Sequence, residues 1–302
     1  MMKQVTVSIP ATTANLGPGF DCLGMALSLY NSITVTELPE EKLIIEATGI
    51  DAHKIPTDAS NLVVKSAEVI FNNLGKRPQG MHIQQHNNIP VGSGLGSSST
   101  AVLGGMLAAN ALVNGGLSRA EILQFATDLE GHPDNVAPAI YGGLVLGIQG
   151  DCGLHVEQIA IPSLRVAVVL PDFELLTQDA RAALPKQVSM QDAIFNSSRL
   201  GLLIQALQTA DYQKLCLAMQ DRLHQPYRIP IIPGMAAAFS AAFNAGAASV
   251  ALSGAGPSLI AFGHSKHQTI GEAAQAAFAQ AGLNSRLWVL NLDISGSSVK
   301  MA

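Results

Sequence analysis

Between Lys76 and Lys186 the chain carries no lysine. That gap covers its richest glycine stretch, so a phosphate loop of the G-x-x-x-x-G-K-[ST] kind is excluded there. Positive charge is scarce throughout: 17 Lys and Arg against 22 Asp and Glu leave a net charge of -5, which offers no basic footprint for nucleic acid. The three cysteines, Cys22, Cys152 and Cys216, are scattered and lack metal-ligand spacing. They exclude a disulfide framework and a zinc finger, fit reduced thiols in a cytoplasm, and each reads as a small buried hydrophobe. No apolar run approaches a membrane span, and Lys3 is followed by alternating residues rather than the apolar core of a secretion signal. The expectation is a cytoplasmic protein with neither a membrane nor a nucleic-acid partner. What remains is ordinary globular material of 302 residues, 48% hydrophobic and 13% charged, long enough for two domains.

The densest signal is Pro90-Val91-Gly92-Ser93-Gly94-Leu95-Gly96-Ser97-Ser98-Ser99-Thr100, which runs into the apolar segment Ala101 to Val113. Three alternate glycines allow positive φ and a close ligand, and four hydroxyl residues follow where a helix should begin. Free amides at a helix start favour a phosphate, and a serine there can reach a phosphate-bound Mg²⁺. G-x-G-x-x-G fails because Ser97 stands where its third glycine belongs. A mobile Gly/Ser linker is the alternative, but linkers do not lead into a segment apolar nearly all round.

Val5, Val7 and Ile9 alternate as a first strand ended by Pro10, followed by a glycine-rich turn over residues 11–21. In that turn Asn15 and Asp21 either make Asx turns or serve a site. Strands are predicted over 32–36, 42–48 and 81–85. Asn61 introduces a helix with Val64, Ala67, Phe71 and Leu74 on one face and Gly75 as its stop, a place where an asparagine is most often a cap. Ser118 to Glu121 is a capping box for a helix that must end near Glu130, before Gly131 and Pro133. After strands over 143–149 and 165–170, with the domain boundary near Pro162 (1–163 and 164–302), helices are predicted over 190–208, 211–223, 234–245 and 267–281. Strands over 247–252, 258–263 and 287–293 complete an α+β second half. Ser253-Gly254-Ala255-Gly256-Pro257-Ser258 is a second glycine loop, alone no more than a hairpin turn.

Glu130-Gly131-His132-Pro133-Asp134-Asn135 is the densest polar cluster in an apolar neighbourhood. A carboxylate at a helix C-terminus is opposed by the dipole, so Glu130 is either solvated or held there as a hard oxygen ligand for Mg²⁺. His132 either caps the next helix or joins Asn135 in bonding a substrate. Arg181 and Arg228 are lone arginines, surface residues by composition, or a clamp for an α-carboxylate.

Together these segments resemble the GHMP kinases, a family named for galactokinase, homoserine kinase, mevalonate kinase and phosphomevalonate kinase. The stretch from Pro90 resembles their ATP motif, Pro10 to Gly24 their first motif and Ser253 to Ser258 their third. Within the family, Pro10 to Gly24, Glu130 to Pro138, Thr177 to Arg181 and Pro226 to Arg228 are similar to the branch that phosphorylates homoserine. The resemblance implies an α+β fold of two domains: a ribosomal protein S5 domain 2-like N-terminal domain and a ferredoxin-like C-terminal domain. It further implies ATP and Mg²⁺, transfer of the γ-phosphoryl group to L-homoserine for threonine biosynthesis, and a homodimer. By position, Ser98 and Glu130 would hold Mg²⁺, Pro90 to Thr100 would wrap the triphosphate, and Asn61 would lie near the base. Asn15, Asp21, His132 and Asn135 would line the substrate site, with Thr177, Arg181 and Arg228 at its carboxylate end. Asn135 would orient the hydroxyl, and Asp21 would bind the ammonium or accept a proton. Mevalonate-type relatives carry a lysine in the first motif, where this chain has Thr12 and Thr13. Two positions depart from the homoserine pattern: Gln225 stands where a glutamate is common, and Ser99-Thr100 replace a small apolar pair.

Overall fold

The structure, a computed structural model, describes residues 3–151 and 153–302. β1 (Gln4–Asn15) and β2 (Gly19–Leu38) form a long central hairpin turning through Leu16, Gly17 and Pro18. Val5, Val7 and Ile9 face the core as their alternation requires, but β1 runs on past Pro10. The register explains this: Pro10 pairs with Tyr30 and Ala11 with Leu27, so the missing donor falls where the ladder is already interrupted. Past the slip, Leu23 to Leu27 are buried on both faces of β2, which is why residues 20–31 lack the alternation that would have marked a strand.

The first half continues with β3 (Leu43–Gly49), α1 (Leu62–Leu74), β4 (Gly80–Asn87), α2 (Ser97–Leu112) and α3 (Arg119–Glu130). It ends with α4 (Pro133–Tyr141), β5 (Leu144–Gly150) and β6 (Gly153–Ile159), the last a strand the sequence did not announce. The expected helix signals operate. The Asn61 side chain accepts from Val63 N, the Ser118/Glu121 capping box closes, and Gly75 and Gly131 end α1 and α3 at φ 61° and 86°. α2 packs on α1, α3, α4 and β1, which accounts for its all-round apolar sequence.

The second half comprises β7 (Arg165–Pro171), α5 (Thr177–Ala182), α6 (Met190–Gln208), α7 (Tyr212–Ala218), α8 (Gln225–Arg228), α9 (Met235–Asn244), β8 (Ser249–Leu252), β9 (Leu259–Phe262), α10 (His267–Gln280) and β10 (Ser285–Asn291). Its sheet runs β10-β7-β9-β8, all antiparallel, the strand order of a ferredoxin-like domain. α7 stops at Ala218, short of the expected Leu223, and past it the Asp221 carboxylate takes the amides of Leu223, His224 and Gln225 at 2.8, 2.9 and 2.6 Å, holding the chain in the turn that leads into α8. The last strand, β11 (Ser298–Met301), crosses back and pairs with β1 in the first sheet.

One apolar core lies within the first half and one within the second. A third joins Leu16, Leu23 and Met25 of the hairpin to Val166, Ile260 and Phe262 of the second sheet. Cys22 is half-buried and Cys216 exposed, so neither is the fully buried residue expected, and Cys152 lies outside the described residues. Among the described residues no helix is long and apolar enough to cross a membrane.

Candidate active site

The glycine loop is pinned from behind before it offers anything to a ligand. Asn31 of β2 accepts from the amides of Asn88 and Ile89 at 2.8 and 2.9 Å and donates to the Thr100 hydroxyl at 3.1 Å, tying the approach of the loop to the start of α2. The sequence reading passed over Asn31, whose side chain is the one amide in β2 and is buried. Thr12 N donates to Leu95 O at 3.1 Å, and the Ser93 hydroxyl to Pro90 O at 2.7 Å. Gly92, Gly94 and Gly96 all have positive φ, but for different neighbours. A Cβ on Gly92 would meet nothing within 4 Å; on Gly94 it would lie 2.3 Å from Ser253 O, and on Gly96 2.1 Å from Thr12 Oγ1. Two of the three therefore admit other parts of the chain rather than a ligand.

The neighbour at Gly94 is the second glycine loop. The Ser253 hydroxyl donates to Gly94 O at 2.7 Å and sits 2.9 Å from Thr13 Oγ1, while Gly254 N bonds Ala14 O at 3.1 Å. Thr12 donates to Asn135 Oδ1 at 2.8 Å. Thr12 and Thr13 thus fasten the first motif to Asn135 and to the second loop.

α2 begins at Gly96 with no side-chain cap, so its first amides are unclaimed by side chains. Glu130, at the end of α3, reaches this start: Ser98 Oγ donates to Oε1 at 2.7 Å and Ser99 Oγ to Oε2 at 2.9 Å. Two hydroxyls thus offset the unfavourable position of the carboxylate on its own helix. His132 precedes α4 without capping it. Its Nδ1 faces the Asp134 carboxylate at 2.5 Å, a bond that raises the imidazole pKa against the opposing effect of burial. Asp134 is 2% exposed on the cavity wall, a carboxylate the sequence reading did not single out.

Across the cavity, Arg181 of α5 holds Asp21 in a bidentate pair, Nη1 to Oδ2 at 2.8 Å and Nη2 to Oδ1 at 3.0 Å. That pairing raises the guanidinium pKa. Arg228 is buried rather than on the surface: Nε donates to Ala180 O at 3.2 Å, and Nη1 lies 3.4 Å from both Gly254 O and His224 Nδ1. Burial, with Arg181 nearby, lowers its pKa. His224 is itself wholly buried, its Nε2 bonded to Gly17 O at 2.8 Å, and burial depresses its pKa so that it stays neutral. Gln225 spends its Oε1 on Leu252 N at 2.8 Å, fixing the strand that feeds the second glycine loop.

These pieces enclose a cavity of about 310 Å³ lined by Asn15, Asp21, Gly92 to Gly94, Gly96 to Ser99, Glu130, His132, Asp134, Asn135, Thr177, Arg181, Arg228 and Gly254 to Gly256. Asn61 is not among them. It is 1% exposed, and its side chain bonds Val63 N, Pro56 O and Gln85. A second cavity of about 290 Å³, lined by Pro90, Val91, Lys54 and Arg286 among others, shares Gly92 with the first. Among the described residues no cluster of three His, Cys, Asp or Glu side chains could hold a metal by itself.

Free amides at the uncapped α2 start, in one cavity with residues of the ferredoxin-like half, are the arrangement a nucleotide-dependent transferase requires. The family models for the GHMP kinase N-terminal and C-terminal domains match residues 61–143 and 203–282, and the chain belongs to the GHMP kinase family. Among curated relatives it is 43% identical to the homoserine kinase of Trichormus variabilis over 99% of both chains. It is 45% identical to that of Moorella thermoacetica over 92% of this chain and 93% of the other. A crystal structure of homoserine kinase from Cytophaga hutchinsonii superposes with a TM-score of 0.89 at 32% identity, covering 98% of this chain and 97% of that one.

Proposed function

We propose that this chain transfers the γ-phosphoryl group of ATP to the side-chain hydroxyl of L-homoserine, giving O-phospho-L-homoserine for threonine biosynthesis in the cytoplasm. Family membership makes it an ATP-dependent small-molecule kinase. The observation that carries the substrate reading is one cavity lined both by the uncapped α2 start and by Arg181, Arg228 and Asp21. A triphosphate fits the first and an amino-acid head the second.

In this reading the amides from Gly92 to Ser99 and the α2 dipole take the phosphate oxygens, Thr100 N being spent on Gly96 O at 2.9 Å, and the neighbouring cavity past Gly92 leaves room for the nucleoside. Asn61, bonded to Val63 N, Pro56 O and Gln85, caps α1, and its proposed place near the base rests on the family resemblance. Ser98 and Glu130 are hard oxygen donors 2.7 Å apart at the loop, a set that fits Mg²⁺, which needs few protein ligands beside phosphates. Bound there, Mg²⁺ supplies charge neutralisation that the lysine-free loop lacks. Thr12 occupies Asn135 Oδ1 and Asp134 Oδ1 takes one N–H of the Asn135 amide at 3.3 Å, which leaves the second N–H to donate to the substrate oxygen and aim its lone pair at phosphorus. Phosphoryl transfer through a loose transition state needs alignment more than a strong base. Asp21, with both oxygens already accepting from Arg181, suits ammonium binding better than proton transfer. Thr177, Arg181 and Arg228 take the carboxylate.

The domains are proposed to divide at 163/164, with β11 lent back to the first sheet. A homodimer is proposed on the exposed apolar side chains of Met190 and Ile194 on α6, and sedimentation should give twice the chain mass. The assay for function is ADP formation from MgATP with and without L-homoserine. Strong stimulation is expected, and nucleotide binding without stimulated turnover would overturn the reading.

A further inference from the structure

Asp21 and Arg181 belong to opposite ends of the substrate in the reading above, yet in the structure they bind each other. They come from different halves of the fold, β2 and α5, and both line the cavity. The pair is built rather than incidental. Asp21 sits at φ 56°, its amide bonded to Asn15 Oδ1 at 3.0 Å, and the Arg181 guanidinium lies 5.7 Å from the Phe20 ring centroid. It is also openable, since the two side chains are 33% and 44% exposed and solvent screens their attraction.

We propose that Asp21 and Arg181 form an exchangeable ion pair that a zwitterionic substrate must split, its ammonium replacing the guanidinium on Asp21 and its carboxylate replacing Asp21 on Arg181. This inference rests on the homoserine reading and adds the source of selectivity. A ligand with both charges exchanges one ion pair for two and leaves no charge unpartnered. A ligand with one charge must break the pair and strand the other partner, so it competes poorly against the closed state. Selection for an α-amino acid is then exerted by the free protein, before any contact with the nucleotide.

Inhibition constants against L-homoserine test this with two truncated alcohols: γ-hydroxybutyrate, which lacks the ammonium, and γ-aminopropyl alcohol, which lacks the carboxylate. Asp21→Asn, tolerated because asparagine accepts the left-handed conformation, should weaken homoserine binding yet tighten γ-hydroxybutyrate by about fivefold, since Arg181 is already free. Arg181→Gln should do the same for the amino alcohol. The decisive arm adds Asp21→Asn to the Arg181→Gln background. With no pair left to break, the gain for γ-hydroxybutyrate should vanish. If that gain persists, simple repulsion by Asp21 explains it and the exchange is wrong. It is equally wrong if Asp21→Asn alone leaves γ-hydroxybutyrate unchanged while homoserine weakens. Failure of the underlying site reading looks different: neither single variant would then alter homoserine binding.

Discussion

Glu130 illustrates how a side chain opposed by its own helix is retained by its neighbours. Its oxygens face two hydroxyls at the α2 start, where a phosphate-bound cation would sit. Glu130→Ala should lower kcat by roughly two orders of magnitude or more while KM for homoserine changes little. Steady-state kinetics that give equal kcat would remove it from the chemistry. The glycines make a sharper contrast, because all three share a backbone conformation and differ only in surroundings. Gly92→Ala, facing open space, should cost about 1 kcal/mol of stability from its positive φ alone. Gly94→Ala, whose Cβ would press on Ser253 O, should cost about 2–4 kcal/mol and loosen the second loop. Equal denaturation midpoints for the two variants would refute this division of labour. Sequence alone marked these positions as a set, because composition reports conformational freedom but not what each glycine faces.

Among the elements, helices were legible where caps and periodicity coincide, as in α1 and α3, and strands where one face is wet. What escaped was structure held by tertiary pairing. β11 shows four exposed residues and is held by its ladder with β1. The turn before it is organised by Asp293, which accepts from Ser295 N at 3.0 Å, Gly296 N at 2.7 Å and the Tyr30 hydroxyl. Burial and that bond push the Tyr30 pKa up to about 12, above its usual 10.0. A phenol whose folded pKa is raised binds its proton more tightly in the native state, so it contributes stability below about pH 10 that is lost as pH climbs towards 12. Unfolding free energies should therefore fall over that window in the wild type, and Tyr30→Phe should flatten the decline. An unchanged slope would show that Tyr30 does not govern it. α7 is likewise shorter than its periodicity, which continues to Leu223: the Asp221 carboxylate binds the amides of residues 223–225 and holds the chain ahead of α8 in a turn instead of a helix.

For the whole molecule, the apolar core between the halves decides how it folds. Leu16, Leu23 and Met25 of the hairpin are fully buried against residues of the second sheet, so cutting the chain at the expected boundary would bare them. Calorimetry should find a single unfolding transition, and residues 1–163 expressed alone should aggregate and fail to bind MgATP. A soluble, nucleotide-binding fragment would mean that the shared core contributes little. The same closure builds the site, because its Arg181, Arg228 and Gly254 arrive from the second half.

The primary structure by itself determined the glycine loop, its lack of lysine and the helices on either side, since each follows from composition, local backbone preference and hydrophobic period. Tertiary structure alone decided that Thr12 holds Asn135, that Arg228 is buried, and that Asp21 and Arg181 meet. Those outcomes depend on which segments the shared core presses together, and such contacts between distant residues leave no mark on local order along the chain.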